Sequence, residues 1–174
     1  MRLFLALSPP DDLRRQLGAQ ADRLHRVYGG RRIPEANLHL TLAFLGEQSE
    51  EQARALSAWL GRMQVAPGNI SLDHLGHFRG PGIIWIGPQQ TPESLQWLQA
   101  EISQGLNDMG INHQPRHFRP HITLLRKASR GPAGSPPDKV RHWSYARVEL
   151  IQSTLSADGS HYRRLASTPS NASG

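Results

Sequence analysis

The chain has no cysteine. That excludes disulfides, thiolate metal sites and a cysteine nucleophile, and it fits a reducing compartment. Lysine is scarce too: of 20 Lys and Arg residues, only Lys127 and Lys139 are lysines. No long hydrophobic run occurs. The apolar opening, Met1 to Leu7, is cut off by Pro9, Pro10, Asp11 and Asp12. It is too short for a signal-peptide core or a membrane span and reads as a buried strand. The expected location is the cytoplasm, with no membrane partner. The sequence contains no His-Glu-x-x-His, the spacing that would place two metal ligands and a base on one helix face.

What the chain has in quantity is arginine. The formal net charge is +6 over 174 residues. A guanidinium presents a planar fork of donors that matches phosphate oxygens, so the excess favours a polyanionic partner, with nucleic acid ahead of membranes. Arginine on solvated faces would give the same composition, so charge alone decides nothing.

The chain repeats itself. Arg2 to Leu7 reads as a strand, ended by Pro9 and Pro10. Asp11 and Asp12 suit a helix start, and Leu13, Leu17, Leu24 and Val27 recur at helical spacing up to Gly29 and Gly30. A loop with Pro34 leads to a second strand, His39 to Gly46. The second half has the same order. Ile83 to Ile86 reads as a strand, and Thr91, Pro92 and Glu93 as a helix start with proline at its first position. Leu95, Leu98, Ile102, Leu106 and Met109 form an apolar stripe, and His121 to Lys127 reads as a strand. Both units end in His-x-Thr-Leu. Phe4 stands as far before His39, to within one position, as Trp85 before His121. Shared order, spacing and tetrad argue for an internal duplication, with halves at about 1–75 and 76–166 of a single domain. Two such halves would pair about a pseudo-twofold axis. Ser49 to Gln64 reads as an exposed connecting helix with a capping box at Ser49 and Gln52. Ile70 to His77, Tyr145 to Thr154 and Tyr162 to Leu165 read as strands, and Arg130 to Pro137 as a loop. Residues 167–174 read as a disordered tail.

Alternation along a strand puts His39 and Thr41 on one face, with Leu40, Leu42 and Phe44 on the other. His121 and Thr123 likewise share a face, with Ile122 and Leu124 behind. Two imidazoles and two hydroxyls would then line one cleft. Hydrolysis of a phosphodiester needs a base for water, an acid for the leaving oxygen and donors for the equatorial oxygens. Histidine serves as either acid or base near neutral pH. A lone His-x-Thr is usually structural; its recurrence at equivalent places points to a paired task. The residues themselves do not say which histidine is the acid.

At these segments, RLFLALSPP, NLHLTLAFLGE, IIWIG and RPHITLLRKAS, the sequence resembles the two-histidine (HxTx) phosphoesterase superfamily, and within it the bacterial RNA 2′,3′-cyclic phosphodiesterases, or 2′-5′ RNA ligases. The resemblance covers the chain up to about Leu165. It implies an α+β, bilobal fold, two pseudo-symmetric strand-helix-strand lobes around a central cleft carrying the two motifs. It implies hydrolysis of an RNA-terminal 2′,3′-cyclic phosphate to a 2′-phosphate without metal or cofactor. His39 would be the proton donor and His121 the proton acceptor. Thr41, Thr123 and Arg126 would bind phosphate, although strict alternation turns Arg126 away from the His121 face. No protein partner is implied, and a monomer is expected.

Three alternatives remain. A metal enzyme could use His113, His117 and His121, but Pro115 and Pro120 oppose the helix that spacing requires; His74 and His77 form only a pair. A non-catalytic nucleotide or RNA-binding module could keep the cleft. RNA ligation is the reverse reaction on the same histidines. Phe78, Trp85 and Tyr28 are candidates to stack on a base, Trp85 reading rather as core.

Overall fold

The computed structural model describes residues 1–113 and 118–170. Strand β1 (Arg2–Leu7) is followed by helix α1 (Asp11–Tyr28), the short β2 (Arg31–Arg32), a 3-10 turn at Glu35–Asn37 and β3 (Leu40–Glu47). Helix α2 (Glu50–Arg62) leads to β4 (Gly68–Leu72) and β5 (His74–Phe78). Then come β6 (Ile83–Gly87), helix α3 (Glu93–Asp108) and β7 (Ile122–Arg126), and finally β8 (Arg141–Tyr145), β9 (Glu149–Ser156) and β10 (Gly159–Ser167). The main sheet runs β10-β9-β1-β3-β7-β6-β5, with β2 paired to β7, and β4 pairs with β8 in a separate two-stranded sheet. The fold is α+β. Its two motif strands, β3 and β7, meet at one pair, Leu40 opposite Ile122. Outward from that seam, β1 flanks β3 as β6 flanks β7.

Sequence explains the helices. In α1, Asp11 and Asp12 occupy the first turn, but Pro10 at the N-cap offers no side-chain bond. Carboxylates there contribute about 0.3–1 kcal/mol each. Burial of Leu13, Leu17 and Leu24 contributes about 1.5–3 kcal/mol per side chain, so packing rather than capping holds the helix. Val27 is not part of that face; it is 56% exposed. Proline sits one position earlier than expected in α3, with Pro92 at the N-cap. The capping box at Ser49 and Gln52 is formed, and α2 is no bare connector, since Ala53, Leu56 and Leu60 are buried. Helix α1 packs on β7 and α3 on β3. Each helix therefore supports the motif strand of the other half.

Two expected strands are each split. Ile70 to His77 divides at Asp73, whose carboxylate accepts from Gln89 N at 2.9 Å. The chain there passes from the small sheet to the edge of the main one. Tyr145 to Thr154 divides likewise between β8 and β9. The C-terminal segment is more ordered than expected. Strand β10 includes Ser167, and Thr168 is 1% exposed. The Thr168 hydroxyl accepts from Val148 N at 3.0 Å, and its own N–H donates to Val148 O at 2.9 Å. Residues 171–174 lie outside the described residues. Among the described residues, no helix is long and apolar enough to cross a membrane.

Candidate active site

The Leu40–Ile122 pair fixes the site. Both side chains are fully buried in the core, so their neighbours face the other way. His39, Thr41, His121 and Thr123 all line one cleft of about 850 Å³. In the antiparallel register of that pair, His39 falls alongside Thr123 and Thr41 alongside His121. The motif residues come together as the repeat predicts.

Each motif strand carries a β-bulge directly after its threonine. On β3, Thr41 pairs with Ala6 but Ala43 pairs with Leu5, leaving Leu42 extra. On β7, Thr123 pairs with Trp85 but Leu125 with Ile84, leaving Leu124 extra. The extra residue resets the alternation. Leu42 and Ala43 are consecutively buried, as are Leu124 and Leu125. The next residues, Phe44 and Arg126, therefore return to the cleft, and both line it. This corrects the expectation for Phe44, which is 68% exposed rather than packed under the helices. It also removes the objection to Arg126. Phe44 and Arg126 occupy equivalent places in the two halves, an aromatic ring facing a guanidinium.

The two imidazoles are held alike. His39 Nδ1 lies 2.7 Å from Asn37 O, and His121 Nδ1 lies 2.7 Å from Arg119 O. A carbonyl can only accept, so Nδ1 carries the proton in both rings. When the ring is neutral, Nε2 is then the free base. For His39, Nε2 accepts from the Thr41 hydroxyl at 2.8 Å. Asn37 is itself anchored, its side-chain amide donating to Ser160 O at 2.9 Å.

Aromatic rings flank each histidine. His39 lies 4.7 Å from Phe4 and edge-on to Tyr162 at 5.3 Å. His121 stands edge-on to Phe78 at 5.2 Å and 6.0 Å from Trp85. These walls desolvate the imidazoles. Burial pushes the His39 pKa down to about 4, against the favourable Asn37 carbonyl, with His121, Arg126 and Arg14 adding repulsion. Burial also lowers His121, with Arg119 and Arg126 contributing. The Tyr162 hydroxyl is raised by burial. Among the described residues no Asp or Glu lines the cleft, whereas Arg2 and Arg126 do. An empty cleft is thus positively charged and holds neutral histidines at pH 7.

The His39 shift has a consequence for stability. Its folded pKa is depressed, so its contribution is fully present above the unfolded value of 6.5. It is lost as pH falls through the folded value of about 4. His39→Gln is expected to flatten the decline of Tm between pH 6.5 and 4, measured by thermal melts. An unchanged slope would contradict the buried neutral ring.

The sequence reading missed Phe4, Tyr162, Phe44 and Asn37. Phe44 had a signal, its match to Arg126 three places after each motif threonine. Among the suggested stacking residues, Phe78 and Trp85 wall His121, while Tyr28 holds Arg130 over its ring at 5.6 Å. Of the histidines weighed as metal ligands, His113 lines the cleft, and His117 lies outside the described residues. Among the described residues no group of three or more His, Cys, Asp or Glu could hold a metal ion.

Comparison with known proteins gives the family. The RNA 2′,3′-cyclic phosphodiesterase of Escherichia coli K12 is 37% identical over 86% of this chain and 84% of its own. That of Archaeoglobus fulgidus is 31% identical over 95% and 98%. The crystal structure of E. coli LigT with 3′-AMP superposes with a TM-score of 0.86 at 32% identity, covering 95% of both chains. Residues 9–156 match the model of the 2′-5′ RNA ligase superfamily. The chain belongs to that superfamily.

Proposed function

We propose that the protein hydrolyses the 2′,3′-cyclic phosphate at an RNA end to a 2′-phosphate, with His39 as acid and His121 as base. The observation that carries this reading is the matched pair of Nδ1-anchored histidines across a cationic cleft that is lined by no carboxylate among the described residues. The relatives named as RNA 2′,3′-cyclic phosphodiesterases support the substrate.

In the proposed step, His121 Nε2 takes a proton from water as its oxygen bonds to phosphorus. The P–O3′ bond breaks, and His39 Nε2 gives O3′ its proton. The phosphate stays on O2′. Arg126 and the hydroxyls of Thr41 and Thr123 donate to the equatorial oxygens, where charge develops. No resident metal or cofactor enters the step.

His39 must be protonated to act as acid, yet the empty cleft holds it neutral. The substrate supplies the missing negative charge. An anionic phosphate beside an imidazolium favours its charged form and raises the pKa. Protonation of Nε2 also ends its acceptance from Thr41, freeing that hydroxyl to donate to phosphate. Phosphate binding and loading of the acid are therefore coupled. A monomer is the proposed working unit. The cytoplasm, where RNA ends are exposed, is the proposed location.

The test is incubation of a short RNA bearing a 2′,3′-cyclic phosphate end in excess chelator, with the product identified. A 2′-phosphate formed at an undiminished rate is expected. Tight binding of the same RNA without turnover would favour a binding module, and loss of activity restored by a divalent ion would favour a metal enzyme.

A further inference from the structure

A second, smaller depression lies beyond the aromatic wall of His121. Its volume is about 260 Å³, and its lining includes His74, Gly76, Arg79, Arg119 and the 131–134 loop. Edge strand β5 builds one side. Gly76 pairs with Trp85, so both face the cleft side of the sheet. A Cβ at Gly76 would come within 2.1 Å of the Trp85 ring, so only glycine lets the indole lie across this strand. The loop is clipped alongside by the Leu75–Ser135 bridge.

The depression presents donors without acceptor side chains of opposite charge. Trp85 is 2% exposed, yet among the described residues its Nε1 has no hydrogen-bond partner. An indole N–H can only donate. The Arg119 guanidinium lies 4.9 Å from the Trp85 ring centroid and 5.9 Å from that of Phe78. Among the described residues, neither Arg79 nor Arg119 is paired with a carboxylate. Among the described residues no Asp or Glu lines the depression. Two guanidinium groups without carboxylate partners, at a depression lined by no carboxylate among the described residues, call for an anion with several acceptor oxygens.

Position selects which anion. Trp85 and Phe78 form both this depression and the wall of His121, whose ring is 6.0 Å from Trp85. A bound anion would sit one aromatic ring away from the reacting phosphate, on the same face of the sheet. We infer that this depression binds the internucleotide phosphate next to the terminal cyclic phosphate, making the enzyme prefer an RNA chain end to a free mononucleoside cyclic phosphate. The inference rests on the proposed hydrolysis. It adds that selectivity for polymer is built into β5, the Trp85 indole and Arg79. An anion over Arg119 would also relieve the repulsion that guanidinium exerts on His121.

The experiment compares kcat/KM for a cyclic-ended dinucleotide and for the matching mononucleoside 2′,3′-cyclic phosphate. Variants are Arg79→Glu and Gly134→Asp, each placing a negative charge at the depression. Gly134 has φ +69, a conformation that aspartate tolerates better than most residues. The wild type is expected to prefer the dinucleotide by about tenfold, the value of one charge-assisted contact. Both variants are expected to lose that preference while still turning over the mononucleoside. A dinucleotide with an uncharged methylphosphonate linkage is expected to behave like the mononucleoside. If it keeps the full preference, base or sugar contacts are responsible and the inference fails. If inorganic phosphate alters mononucleoside turnover through Arg79 while no dinucleotide preference exists, the site takes a free anion and the RNA assignment fails. Mononucleoside activity reports separately on the proposed hydrolysis.

Discussion

Alanine at His121 is expected to lower kcat for a cyclic-ended RNA by roughly 10² to 10⁴, and alanine at His39 by a similar factor, the usual range for one positioned proton transfer. Loss of the base leaves water to attack unassisted. Loss of the acid leaves O3′ to depart as an alkoxide. The two losses should not add in full, because each histidine acts in the same step. Folding must be controlled for. His39 fills a space between Phe4 and Tyr162, so alanine leaves a gap there, and His39→Gln serves as the better-filled companion. Far-UV circular dichroism and Tm at pH 7.5 check that each variant is native. A native His121→Ala enzyme within about threefold of wild type, far short of the expected range, would remove the base from the mechanism.

Arg126→Ala is the second large effect. Removing a donor aimed at the developing oxyanion costs roughly 10² to 10³ in kcat. Arg126→Lys should restore only part of it, because an ammonium keeps the charge but not the fork. The β7 bulge makes the prediction specific, since without it Arg126 would point away from phosphorus. Phe44 gives the contrast. It stands at the equivalent place on β3 but carries no charge, and its exposed ring is suited to stacking on a base. Phe44→Ala is expected to raise KM and leave kcat nearly unchanged. Equal kcat losses at Phe44 and Arg126 would mean that both changes simply disturb the bulged strands.

The contrast also marks what could be read from the sequence. The repeat, the two histidines and the leucines behind them follow from spacing and alternation, because Leu40 and Ile122 leave no other face for the motif residues. Phe44 and Arg126 do not follow, because the extra residue directly after each motif threonine inverts the side chains that come next, and a bulge has no composition of its own. The division of Ile70 to His77 was equally hidden. Ile70, Leu72 and Leu75 are buried on both sides of the break, where the Asp73 carboxylate captures a distant backbone N–H. The order at Thr168 depends on a tertiary partner, Val148, that local polarity cannot reveal. Tyr162 and Asn37 reach the site through contacts between distant segments. Metal-independence and the choice of acid came from the resemblance, because spacing alone does not order the two histidines.

The pH dependence of kcat/KM bears on the paired histidines most directly, because it titrates the free enzyme. One histidine must be charged and the other neutral. His39 has a pKa of about 4, and His121 lies below its ordinary 6.5. The profile should therefore be bell-shaped with both limbs below about 6.5, falling with unit slope from there to pH 8. The profile of kcat should lie at higher pH, because bound phosphate raises both groups. His39→Gln and His121→Gln should each abolish one limb from whatever activity remains. A profile flat from pH 4 to 8, or a bell that survives intact in either variant, would contradict acid–base catalysis by this pair.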